Sequence, residues 1–147
     1  MKKQYNFAVI GCGHIAQRHA IEASKQGKIL AVCDANIDKA KFFANQYQCN
    51  YYTTLDELLR KEPELDIACI CTPNHLHATQ TIQCLKSDLN VICEKPMAIK
   101  IEDARKMIST SESTGKSVFV VKQLRYYPHI QFIKSLLTNH QLGKIFS

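Results

Sequence analysis

The chain has 147 residues, 46% of them hydrophobic and 22% charged, with a formal net charge of +6. That length supports one domain with a real core, and the composition is that of an ordinary globular protein rather than a disordered or fibrous one. No apolar run is long enough to span a membrane, and the basic residues are scattered rather than grouped. The charge therefore reads as a solvated surface that favours anionic ligands, with no nucleic-acid partner.

The pattern alternates along the chain. "YNFAVIG" (5–11) is an apolar run ending in glycine, a first strand. It is too short for a signal peptide, so a cytoplasmic location is expected. Helical spacing covers 14–26, with Ile15, Ala16, Ala20 and Ala23 near one face, and Gly27 stops it. "ILAVCD" (29–34) is a second strand. A second helix runs over 36–47 on Ile37, Ala40 and Ala44. "YYT" (51–53) is a short third strand. Thr54 then caps a brief helix over 55–60, with Glu57 completing a capping box.

"LDIACIC" (65–71) is a fourth strand, apolar on both faces. Residues 75–87 are helical, with Ala78, Ile82 and Leu85 as the buried stripe. "NVICE" (90–94) is a fifth strand. The helix over 101–113 buries Ala104, Met107, Ile108 and Ser111, Gly115 ends it, and "SVFVV" (117–121) is a sixth strand. Continuously apolar strands, each followed by a helix, predict a parallel sheet covered on both faces. With right-handed crossovers this is a doubly wound α/β, or Rossmann, sheet.

After Val121 the pattern changes. "KQLRYYP" is polar and aromatic. Pro128 opens a helix carrying Ile130, Ile133 and Leu137, and "LGKIFS" reads as a turn into a strand. The expected division is a dinucleotide-binding domain over 1–122 and, over 123–147, the start of a second α/β domain. A fragment, an expressed domain and a natural short protein all fit that pattern.

Seven cysteines cannot all pair with one another. Cys12, Cys33, Cys69, Cys71 and Cys93 lie in or beside apolar runs, and no C-x-x-C occurs. They read as reduced core residues, and no metal site is expected.

Ligands bind outside the carboxyl ends of the strands in such a sheet. After the first strand comes Gly11-Cys12-Gly13-His14-Ile15-Ala16, a G-x-G-x-x-A. Gly11 suits a tight turn, Gly13 suits close approach of a pyrophosphate, and Ala16 suits close helix–strand packing. Asp34 follows the second strand, 23 residues beyond Gly11. It is either a ribose acceptor that repels a 2′-phosphate or a helix cap. NAD is therefore expected over NADP.

"CTPNHLHA" follows the fourth strand. Thr72 and Pro73 make a rigid turn, Asn74 is either a ligand contact or a cap, and His77 either faces the crevice or is structural. Glu94-Lys95-Pro96 follows the fifth. Lys95 beside a bound nicotinamide would exchange a proton near neutral pH; the alternative is a surface ion pair with Glu94. Gln123 and Arg125 follow the sixth strand. Arg125 would hold an anionic substrate group or pair with a carboxylate between domains.

Together these stretches resemble the Gfo/Idh/MocA oxidoreductases, the family of glucose–fructose oxidoreductase and inositol 2-dehydrogenase. The resemblance rests on "GCGHIAQRH", "VCDAN", "CTPNHLHA", "VICEKPMA" and "LRYYP…LGKI", in that order. It implies an NAD(P)-dependent oxidoreductase acting on a carbon of a sugar, cyclitol or sugar nucleotide. It assigns Gly11, Gly13, His14 and Ile15 to the pyrophosphate and Asp34 to the adenosine ribose. It places Thr72, Pro73, Asn74, His77, Glu94, Lys95 and Gln123 around the nicotinamide half, with Lys95 assisting proton transfer at the reacting carbinol. It also suggests a cis Lys95–Pro96 bond and a homo-oligomer in the full-length form. "VICEKP" and "KQLRYYP" look most like the branch acting on UDP-N-acetyl-hexosamine derivatives. The competing reading is a non-catalytic NAD-binding regulatory module.

Overall fold

A computed structural model describes residues 4–144. Its elements run β1 Tyr5–Ile10, α1 His14–Gln26, β2 Gly27–Cys33, α2 Ile37–Tyr47, β3 Asn50–Tyr52 and α3 Leu55–Lys61. Then follow β4 Ile67–Ile70, α4 His77–Lys86, β5 Asn90–Cys93, α5 Ile101–Thr114, β6 Val118–Val120 and α6 Pro128–Thr138. All twelve expected elements up to α6 are present, with ends shifted by a residue or two. No strand follows α6 through Lys144, and the rest of the strand expected there lies outside the described residues.

The six strands form one sheet in the order β3-β2-β1-β4-β5-β6, every neighbouring pair parallel. The order reverses between β1 and β4, and a doubly wound sheet opens its ligand crevice at that switch point. The side-chain alternation of a strand sends Ala8 and Ile10 to one face and Phe7 and Val9 to the other. The first face packs against α3, α4 and α5 through Leu58, Leu85 and Met107. The second packs against α1 and α2 through Ala16, Ala20 and Phe43. Full burial of each larger side chain contributes roughly 1.5–3 kcal/mol.

Several helix expectations need correction. Ile37 and Ile108 are exposed. In α2 the buried aromatic is Phe43, three residues beyond Ala40, so the stripe lies one turn further along. In α5 only Met107 is fully buried. Gly27 does not end α1 by a left-handed turn; its backbone is extended. A Cβ there would sit 1.8 Å from the Tyr5 carbonyl oxygen, so close strand pairing requires the glycine. Thr54 caps α3 by accepting the Glu57 N–H at 3.4 Å. The Glu57 carboxylate pairs with Lys61 instead of closing the box.

No described residue between Lys122 and Lys144 is buried; Gln123 and Leu136 are partly covered and the rest are exposed. Ile130, Ile133 and Leu137 are all exposed on α6. This segment adds nothing to the core.

Candidate cofactor site and active-site lysine

The strand ends converge on the switch point. Backbone bonds carry the ladder past the strands: Gly11 N–H donates to the Cys33 carbonyl, Cys71 N–H to Ile10, and Glu94 N–H to Ile70. The loops after β1, β2, β4 and β5 therefore start from one level of the sheet.

Gly11 has φ +89°, in the region that favours glycine. A Cβ there would lie 2.8 Å from the backbone of Cys71 and Thr72. The first loop can thus lie against the end of β4 only if residue 11 has no side chain. Gly13 has nothing within 4 Å of its Cβ position. It is the N-cap of α1, and no side chain caps that helix. The free N–H groups at the start of α1 face an approachable backbone, which suits an anionic pyrophosphate.

Asp34 ends β2. Its Oδ2 accepts the Cys12 N–H at 2.8 Å and its Oδ1 the Asn36 N–H at 2.8 Å. The cap of α2 is Asn36, whose side chain accepts from Asp38 and Lys39 N–H. Asp34 is therefore not the helix cap; its remaining lone pairs stay available for ribose hydroxyls. A groove of about 470 Å³ runs along Cys12, Gly13, His14, Asn36 and Lys39. Lys39 in that groove is a residue the sequence reading missed.

Burial pushes the Cys12 thiol up to about 12, with the Asp34 charge acting in the same direction and Lys39 against it. A thiol so raised stays protonated and places no charge beside the loop.

Beyond β4, Asn74 opens a single 3-10 turn (Asn74–Leu76) and caps neither that turn nor α4. The Thr72 hydroxyl donates to Gln80 Oε1 at 2.6 Å. His77 is 1% exposed. Its Nδ1 lies 2.7 Å from the Pro96 carbonyl oxygen and its Nε2 2.9 Å from that of Thr72. The ring links the loop after β4 to the loop after β5.

Beyond β5, Glu94 is 6% exposed. It makes no side-chain ion pair with Lys95. Its Oε1 meets His19 Nε2 at 2.9 Å, and its Oε2 accepts the Lys95 backbone N–H at 3.1 Å. His19 is the second residue the sequence reading missed. It lies four residues after Ile15 on the same face of α1, and a buried carboxylate must find a partner. The Lys95 side chain is exposed and enters no ion pair among the described residues. The Lys95–Pro96 bond is cis. Glu94, His19 and Gln123 border a cleft of about 570 Å³ with Phe7, Ile67 and Ile92 on its floor. Arg125 is exposed, in the 3-10 turn Gln123–Tyr126.

Glucose-6-phosphate 3-dehydrogenase of Bacillus subtilis is 34% identical over 100% of this chain and 41% of its own length. D-glucoside 3-dehydrogenase of Escherichia coli is 29% identical, over 95% of this chain and 40% of its own. The chain thus spans about two fifths of the curated relatives it matches. The WlbA dehydrogenase of Chromobacterium violaceum, solved with NADH and UDP-GlcNAcA, superposes with a TM-score of 0.91 at 30% identity. That match covers 97% of this chain and 42% of WlbA. Residues 5–122 match the model of the Gfo/Idh/MocA oxidoreductase family, NAD-binding Rossmann fold, and the chain belongs to that family.

Proposed function

We propose that this chain is the cofactor-binding part of an NAD-dependent dehydrogenase acting on a carbinol carbon of a sugar, cyclitol or sugar nucleotide. The observation that carries the reading is the placement of an uncapped α1 start, Asp34 and an unpaired Lys95 at the same edge of the sheet, after β1, β2 and β5. The named activities of the relatives, on sugar phosphates, glucosides and a sugar nucleotide, support the substrate class.

In this reading the backbone of Gly11, Gly13, His14 and Ile15 holds the pyrophosphate, and Asp34 accepts the adenosine ribose hydroxyls. Thr72, Pro73, Asn74, Glu94 and Gln123 border the nicotinamide half, with His77 fixing the loops behind it. The bound nicotinamide supplies the hydride acceptor or donor. Lys95 Nζ takes the proton from the substrate hydroxyl in oxidation and returns it in reduction. The desolvation expected for Lys95 is not present in the chain itself, where the side chain is exposed; bound cofactor and substrate would provide it. Arg125 holds an anionic substrate group.

Residues 123–147 belong to a second, substrate and oligomer-forming unit. The whole protein is a cytoplasmic homo-oligomer, a reading consistent with seven cysteines that are all free thiols. NADH fluorescence titration tests the core of the proposal. Saturable binding that weakens in Asp34→Ala supports it. Absence of binding, with the domain folded by circular dichroism, overturns it.

A further inference from the structure

We infer that His19 and His77 are positioning residues that grip the turn carrying Lys95 from opposite faces of the sheet. The inference rests on the proposed role of Lys95. α1, which bears His19, packs with α2 on one face. α4, which bears His77, packs with α3 and α5 on the other.

Each histidine holds one neighbour of Lys95. His19 meets Glu94 Oε1, and the second oxygen of that carboxylate accepts the Lys95 N–H. His77 meets the carbonyl oxygen of Pro96, the residue after Lys95. The residues before and after the lysine are thus tied to buried rings, while its own side chain is left exposed and unpaired. A catalytic amine needs that combination, a fixed backbone and an uncommitted nitrogen.

Both ring nitrogens of His77 are engaged, Nδ1 at 2.7 Å from the Pro96 carbonyl oxygen and Nε2 at 2.9 Å from that of Thr72. The buried ring joins the turn after β4 to the turn holding Lys95, so the nicotinamide-side loops move together.

The test is amide exchange on the 147-residue chain. His19→Leu and His77→Leu should each speed exchange at the Lys95 amide at least about tenfold, with β1 and β4 amides little changed. His19→Gln, which keeps a donor for Glu94, should restore protection. Unchanged Lys95 exchange in both Leu variants, or an equal rise across the whole sheet, overturns the positioning role. None of these readouts requires NADH or turnover. A failure of NADH binding therefore strikes the proposed function and leaves this result standing.

Discussion

Asp34 Oδ2 accepts the Cys12 N–H at 2.8 Å, so the carboxylate that ends β2 and the glycine loop that follows β1 form one hydrogen-bonded unit. The loop cannot shift without disturbing the carboxylate proposed to read the ribose. A 2′-phosphate would bring a second negative charge against Asp34, and like charges at contact distance cost on the order of 1–4 kcal/mol, depending on solvent access.

The first prediction follows from that repulsion. NAD(H) should bind more tightly than NADP(H) by about tenfold or more, measured by calorimetric titration. Lys39 lines the same groove and is a cation already in place. Asp34→Ser should therefore weaken NAD and strengthen NADP, and Asp34→Ser/Lys39→Ala should lose the gain. Equal binding of both cofactors by the unmodified chain would remove Asp34 as the discriminating group.

How much of this was legible in the sequence depends on the range of the interaction. The glycine loop, α1 and the alternation of strands and helices follow from local signals: Gly11 and Gly13 after an apolar run, then helical spacing to Gly27. The Asp34 and Asn36 roles were harder to separate, because both are good caps and only the backbone path decides which one faces α2. A surface ion pair between Glu94 and Lys95 was the alternative reading of that stretch. Adjacent residues in extended chain point to opposite sides, and the carboxylate turned to α1 instead. Its partner His19 lies 75 residues away in sequence, and no local pattern reports a contact of that range. The same applies to His77 and Pro96. Ile37 and Ile108 misled because helical phase alone does not say which of two apolar stripes meets the sheet.

A second prediction concerns Gly11. Alanine there must adopt φ +89° and place its Cβ 2.8 Å from the Cys71 and Thr72 backbone. Strained φ and overpacking together should cost about 2–4 kcal/mol, read as a lower urea midpoint. NADH affinity should fall as well, since the loop would lift away from the crevice. Gly13→Ala meets nothing within 4 Å, so it should leave stability nearly intact while reducing NADH binding. Equal stability losses in the two variants would contradict the assignment of separate roles.

The cysteines give a pH prediction. Burial raises the Cys12 thiol to about 12 and the Cys33, Cys49 and Cys93 thiols to about 11, from 9.0. The folded state thus holds these protons more tightly than the unfolded chain. The stability they lend is fully present below pH 9.0 and is lost as pH climbs toward 11–12. The urea midpoint should fall between about pH 8 and about pH 10 on this account. At about pH 8, thiol reagents should label the folded chain slowly, with the half-buried Cys49 first. Rapid labelling of Cys69 or Cys84 without denaturant would show that the sheet core opens readily.

The last prediction separates binding from turnover. The glycine loop, Asp34, and the loops after β4 and β5 all lie within the residues that match the family's NAD-binding domain, 5–122. The cofactor half of the site is therefore assembled from this chain. The proposed substrate side is sparser: beyond Lys95 it has Arg125, on a segment with no buried residue among those described, and the chain spans 41% of a relative that is a named dehydrogenase. The 147-residue chain should bind NADH yet show no turnover on a panel of sugars, sugar phosphates and UDP-sugars. Ile130, Phe132, Ile133 and Leu137 of α6 are all exposed, and clustered exposed apolar side chains favour association. Phe146, expected to extend that cluster, lies outside the described residues. Self-association should follow, visible as a concentration-dependent mass in sedimentation and relieved by Ile133→Lys/Leu137→Lys. Turnover abolished by Lys95→Ala, in the 147-residue chain itself, would contradict this account, because the acid–base and substrate contacts would then all reside within these 147 residues.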